Sequence, residues 1–192
     1  LVAGATAEAG HSVVAVDLAP IAATSARQIA STLPSGQMEV VEGDFLEIDL
    51  SGPFDVVTYF DGFGVGSDED QQRLLHRVSA WLANDGCALI DVYNPYYFAR
   101  IDGIEYDESD TVLGRTDFDP ESCRLTNRIW PKQTADDAIT QSLRCYSPAD
   151  LRVLLKDTGL GLQHIEPHES EPSARPLPMK EAPTYLAQLI PG

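Results

Sequence analysis

Two kinds of residue stand where they can do chemistry: carboxylates just after short apolar runs, and aromatic side chains beside them. Asp17 closes Ser12–Asp17, SVVAVD; Asp44 and Phe45 follow Met38–Val41; Asp61 lies between Phe60 and Phe63 after Phe54–Phe60. Tyr93, Asn94, Tyr96 and Tyr97 follow the run Cys87–Val92. A carboxylate at the carboxyl end of a buried strand can accept hydrogen bonds from both hydroxyls of a ribose; it can equally cap the next element. An acid next to a ring suits a purine, with the carboxylate taking the exocyclic amine and the ring packing on the base. Asp44 serves as well as a turn acid, and its weight comes from lying one strand-helix unit after Asp17. Phe60 and Phe63 either wall a ligand or cap the core beneath their loop.

The elements that must position these residues centre on Phe54–Asn94. Phe54–Phe60 has the length and composition of a strand. Ser67–Ala83 has helical spacing: Ser67 caps, acids fill the first turn, and Leu74, Leu75, Val78, Trp81 and Leu82 share a face. Asn84-Asp85-Gly86 stops the helix and Cys87–Val92 forms a second strand. Both runs are apolar on both faces, which predicts strands inside a parallel sheet covered by helices. Ligands of such sheets bind beyond the carboxyl ends of the strands. The rim is therefore Phe60–Phe63 and Tyr93–Tyr97. Asp61-Gly62-Phe63-Gly64 has no helix former, so its backbone is free to approach a ligand.

The flanking sequence supplies the remaining elements. Leu1–Gly10 reads as the second half of a helix ending at Gly10. A phosphate loop over Gly4–Gly10 is the weaker alternative, since no strand precedes it. Pro20–Leu33 is a helix. Beyond Asn94, Tyr96–Arg100 is a short helix or lid and Asp102–Asp110 is acidic and turn-like. Thr111–Phe118, Ser122–Trp130 and Ala138–Tyr146 alternate as an antiparallel meander. Arg115, Arg128, Trp130, Arg144 and Tyr146 are its candidates for touching a substrate, unless the meander is only a surface flap. Ser147-Pro148-Ala149-Asp150 opens a further helix. Leu162–Ile165 and Thr184–Ile190 are strands joined through the Pro-rich loop His168–Pro178 and expected to pair antiparallel.

Composition narrows the classes. The length of 192 residues suits one domain with a small appendage. A net charge of −17 opposes nucleic-acid binding. No apolar run approaches the roughly 20 residues of a membrane span. Cys87, Cys123 and Cys145 are widely spaced without a C-x-x-C, and the histidines show no metal spacing. Together these predict a reduced, cytoplasmic protein with no metal site. Arginine in excess of lysine and abundant alanine suit a GC-rich bacterial genome.

VVAVDLAP, EGDF, FDVVTYFDGFG, HRVSAWLANDGCALIDVY and RCYSPADLRVLLKDTGL, in this order and spacing, resemble a class I S-adenosylmethionine-dependent methyltransferase of the small-molecule type. The resemblance implies an α/β fold: a doubly wound, Rossmann-like sheet, mostly parallel with a C-terminal antiparallel hairpin, plus a small antiparallel β insertion. Residues 1–94 and 147–192 would bind the cofactor, and 95–146 would cover the substrate. The implied cofactor is S-adenosylmethionine, with S-adenosylhomocysteine as product. Asp17, Leu18, Asp44, Phe45, Tyr59, Phe60, Asp61 and Phe63 would bind the cofactor. Tyr93, Asn94, Tyr96, Tyr97 and Arg100 would face a small-molecule methyl acceptor, with Arg128, Trp130 and Tyr146 closing over it. The acceptor atom is O, N or C, no catalytic base is assigned, and a homodimer is among the partners left open.

The family opens with a strand and a glycine-rich loop of the type D-x-G-C-G-x-G, which this sequence lacks. The missing strand would lie between those ending at Asp17 and Phe60, so the 192 residues are expected to be less than the full natural protein. Unpaired buried amides cost about 1–3 kcal/mol each, against a typical stability of about 5–15 kcal/mol. Two alternatives stand beside methyl transfer. One is a non-catalytic binding protein of methyltransferase ancestry. The other is a nicotinamide-dependent oxidoreductase, disfavoured by the terminal hairpin and the EGDF spacing.

Overall fold

The computed structural model describes residues 2–168 and 177–192, so most of the predicted loop His168–Pro178 lies outside the described residues. The chain forms two compact units, divided after Leu50. In the first, α1 (Val2–Glu8) leads through Gly10, at φ 99°, into β1 (Val13–Asp17). Then α2 (Pro20–Ala30) returns the chain to β2 (Met38–Glu42). The two strands pair in parallel, Val13 opposite Met38 and Asp17 opposite Glu42. A Cβ on Gly4 would lie 2.8 Å from Ile29 Cγ2, so this glycine permits close packing of α1 on α2. β1 is half-buried, not the buried strand expected, and Asp17 at its end is exposed.

The second unit holds two sheets. One has the order β3 (Phe54–Phe63), β4 (Leu82–Tyr93), β10 (Thr184–Pro191), β9 (Leu160–His168). Only β3 and β4 are parallel; β10 runs antiparallel to both β4 and β9. The expectation of a single, mostly parallel sheet is corrected to this mixed one. β10 lies between β4 and β9 and runs opposite to both, so only the β3–β4 ladder is parallel. β3 is also not interior: among the described residues it pairs with β4 alone, and Val56 and Phe60 are exposed. α3 (Asp68–Trp81) begins in a capping box of Ser67 and Asp70 and buries Leu74, Leu75 and Val78. α5 (Pro148–Leu154) starts the same way, with Ser147 and Asp150, and buries Leu151 and Leu154. Ile90, Val92, Ala187 and Leu189 complete this core.

The second sheet is an antiparallel meander, β5 (Ile104–Ser109), β6 (Val112–Asp119), β7 (Arg124–Pro131) and β8 (Ile139–Arg144). It has four strands, not three. The acids of 102–110 predict a turn, yet Ile104 and Tyr106 alternate with Glu105 and Asp107 and extend along β6. The short helix α4 (Pro95–Phe98) joins the two sheets. Its Phe98 packs into a cluster with Leu125, Leu143 and Cys145.

Candidate functional site

The site grows from a break in the β3–β4 ladder. Tyr59 lies opposite Ile90 and Phe63 opposite Val92, so four steps on β3 match two on β4. The surplus forms a bulge in which Asp61 adopts φ 57°, an unusual conformation for a residue with a side chain. The bulge turns Asp61 to the end of β4, where Tyr93 Oη donates a hydrogen bond to its Oδ1. The following loop is held by the buried Gln71: Gly64 N donates to Gln71 Oε1 at 3.0 Å, and Gln71 Nε2 donates to the Val65 carbonyl. Gly64 has φ 109°, and a Cβ there would lie 2.2 Å from the Arg144 carbonyl oxygen, which only glycine avoids.

Burial sets the electrostatics of this rim. It raises the Tyr93 phenol pKa, and the hydrogen bond to Asp61 adds to the effect, so Tyr93 remains a donor at neutral pH. Asp91, two residues earlier on β4, also has a raised pKa. Desolvation is the main cause; a Thr184 hydrogen bond and the His168 charge oppose it, and the Asp61 charge adds to it. Asp91 Oδ1 is buried without a hydrogen-bond partner among the described residues. Burial pushes the Tyr59 hydroxyl and the Cys145 thiol each up to about 12, so neither is ionised near neutrality.

Beside Tyr93 opens a cavity of about 480 Å³. Tyr97, Phe98 and Ile101 line it from α4 and the turn after it, and the β5–β8 sheet supplies the opposite wall. A cavity of this size and apolar character suits a small organic molecule. Of the eight residues expected to face an acceptor, Tyr93 and Tyr97 line it.

The other six do not. Asn94 is fully buried, and its Nδ2 donates to the carbonyls of Met179 and Ala182 at 2.5 and 2.8 Å. Its Oδ1 accepts from Tyr96 N, capping α4. Tyr96 is exposed, and Arg100 Nη1 donates to the Lys180 carbonyl at 3.3 Å. Arg128 and Trp130 pack on each other at 5.2 Å, on the face of β7 opposite the cavity-lining Leu125 and Asn127. Tyr146 is buried: its Oη donates to Asp68 Oδ1 at 2.7 Å, and Arg144 covers its ring at 4.8 Å. Phe63 takes the core role of the two it was given. It is fully buried against Tyr146, with ring centroids 5.5 Å apart. Phe60 is exposed and Tyr59 is half-buried.

The cavity-lining residues Ile104, Tyr106, Thr116 and Asn127 were missed. Their signal was the alternation of Ile104 and Tyr106, hidden among acids. Gln71 and Thr184 were missed as supports, because each acts through a neighbour far along the chain.

In the first unit, Asp17 is exposed and its Oδ1 accepts from Ala19 N at 2.8 Å. An ionised carboxylate has about four acceptor positions, so one such bond leaves room for a ribose diol. Leu18 is 63% exposed beside it. Gly43 N donates to the Asp17 carbonyl at 3.0 Å, which brings the Asp44–Phe45 loop to the same end of the strands. Asp44 Oδ1 accepts from Leu46 N at 2.8 Å, the turn role, and Phe45 is half-buried. These residues fit an adenosine moiety: an open carboxylate, an exposed apolar side chain and an adjacent ring.

Residues 1–86 match the family model of a methyltransferase domain, and the chain shares its fold with solved S-adenosylmethionine-dependent methyltransferases. The structure of the CcbJ methyltransferase from Streptomyces caelestis superposes with a TM-score of 0.78 at 18% identity, covering 97% of this chain and 77% of that one. An S-adenosylmethionine-dependent methyltransferase from Clostridium acetobutylicum gives 0.72 at 16% identity, covering 93% and 74%. The glycopeptide N-methyltransferase MtfA in complex with S-adenosylmethionine gives 0.65 at 19% identity, covering 97% and 75%. No match was found among curated proteins. None of the helices among the described residues is long and apolar enough to cross a membrane.

Proposed function

We propose that the protein transfers a methyl group from S-adenosylmethionine to an O, N or C atom of a small molecule seated in the cavity beside Tyr93. The observation that carries this is the coupling of an apolar cavity to an ionisable pair, Tyr93 and Asp61, in a chain with the methyltransferase fold. S-adenosylmethionine supplies a methyl group already activated by the sulfonium charge. The protein's task is then to hold the acceptor in line and exclude water. In the first unit Asp17 takes ribose, with Leu18 beside it, and Asp44 and Phe45 take adenine; in the second, Tyr59, Phe60 and Asp61 belong to the reaction end. Residues 95–146 cover the acceptor. Asp61 would take the proton that the acceptor gives up when it is methylated. Tyr93 orients that carboxylate. The likeness to a glycopeptide N-methyltransferase supports a small-molecule acceptor.

Titration of S-adenosylhomocysteine with thermal unfolding tests this. At about 100 times its dissociation constant a ligand adds about 2.7 kcal/mol, a rise of roughly 5–11 °C for this size. The rise should be lost in Asp17→Ala. No rise overturns the proposal, and a rise with NADH alone would favour an oxidoreductase.

A further inference from the structure

The sheet wall of the cavity carries a polar row that methyl transfer itself does not require. Thr116 pairs with Asn127 and Asn127 with Gln141, so three polar side chains stand side by side across β6–β8, with Ile104 next to Thr116 on β5. All four line the cavity. The next row on the same face is apolar, with Leu125 between Phe118 and Leu143. A polar row inside an apolar wall costs desolvation unless something bonds to it.

The geometry around Asn127 sets which of its atoms is on offer. Tyr106 leaves β5 and lies across β6 at Gly114, where a Cβ would fall 2.4 Å from Tyr106 Cζ. Glycine at that position lets the ring cross the strand and reach β7. Tyr106 Oη then donates to Asn127 Oδ1 at 2.7 Å, and Thr116 Oγ1 donates to the same oxygen at 3.4 Å. With Oδ1 taken by two hydroxyls, the amide is held in one orientation. Nδ2 makes no hydrogen bond among the described residues, and it is not one of their sealed, unpartnered polar atoms. Because Asn127 lines the cavity, Nδ2 is the donor this residue has left to offer there.

We infer that this site takes an apolar small molecule carrying a neutral hydrogen-bond-accepting oxygen, such as a ketone or amide carbonyl, which lies against Asn127 Nδ2. Tyr106 and Thr116 are positioning residues that act through Asn127. This rests on the cavity being the acceptor site and specifies the class of acceptor: an oxygenated, uncharged body, with the methylated atom towards Tyr93.

Binding of two isosteric probes, 1-indanone and indane, to the full chain tests the inference without any turnover. The ratio of their dissociation constants cancels general apolar affinity. Asn127→Leu should shift that ratio against the ketone by about tenfold, the effect of one hydrogen bond to a group otherwise left unpaired. Tyr106→Phe keeps the ring and should weaken 1-indanone while leaving indane unchanged, a split that general loosening of the sheet would not produce. Asn127→Asp, nearly the same size, replaces the donor with an acceptor and should disfavour the ketone as strongly. An unchanged ratio in Asn127→Leu and Asn127→Asp overturns the inference, as does failure of both probes to bind. Methyl transfer is judged separately by the S-adenosylhomocysteine response, so either idea can fail while the other stands.

Discussion

Tyr93 donates its phenolic hydrogen to Asp61, joining the ends of two parallel strands across 32 residues of sequence. The bond exists because the β3 bulge places Asp61 at φ 57°. If Asp61 receives the acceptor's proton, Asp61→Asn should lower kcat by about 10²-fold or more. Tyr93→Phe, which frees the carboxylate to reorient, should cost about tenfold, or about 1.4 kcal/mol. S-adenosylhomocysteine formation with an accepted substrate is the readout, and equal kcat in Asp61→Asn and wild type would remove Asp61 from the chemistry.

Asp91 carries a stability cost that depends on pH. Its folded-state pKa is raised above the unfolded value of 3.8, chiefly by burial. For a raised pKa, the stabilising contribution is full below the unfolded pKa and is lost as pH rises through the folded one. At pH 7 burial of the Asp91 carboxyl group, with Oδ1 unpartnered among the described residues, opposes folding. Asp91→Asn should therefore raise Tm at pH 7 by about 2–4 °C for each kcal/mol relieved. The gap should close as pH falls towards 4. A variant no more stable than wild type at pH 7 would refute this account of the buried oxygen.

Two glycines should respond oppositely to alanine. Gly64→Ala combines a positive φ with a clash against the Arg144 backbone and should cost about 3 kcal/mol or more. Gly161, in β9, has open space around its Cβ position, and Gly161→Ala should gain about 0.4–1 kcal/mol. Urea unfolding of both variants is sufficient to check this.

Tyr146→Phe separates structure from recognition. Losing the 2.7 Å bond to Asp68 should cost about 1 kcal/mol in urea unfolding. Acceptor KM should stay unchanged, since Tyr146 is buried and does not line the cavity. A several-fold rise in KM without loss of stability would return Tyr146 to the binding site.

The local features were readable from sequence because local chemistry produces them. Ser67 and Ser147 cap helices through neighbours three residues on, and the apolar runs around Val57 and Leu89 are strands whatever surrounds them. Asp17 at the end of β1 and Asp44 just after β2 stand where the short apolar runs put them, whereas Asp61 falls inside β3, in its bulge. Which face of a strand meets the cavity was not legible. On β7 both Leu125-Asn127 and Arg128-Trp130 alternate correctly, and only packing of the sheet with α4 decides that the first pair lines it. Asn94 looked like a rim residue until the 3₁₀ turn at Met179–Glu181, 85 residues later, supplied partners for its amide. The sequence by itself determined the helices, most strands and the acids at their ends, since capping and periodicity act over a few residues. Tertiary structure alone decided the mixed pairing of β10, the bulge that aims Asp61 and the amide of Asn127 turned into the cavity. Each depends on hydrogen bonds between segments far apart in the chain.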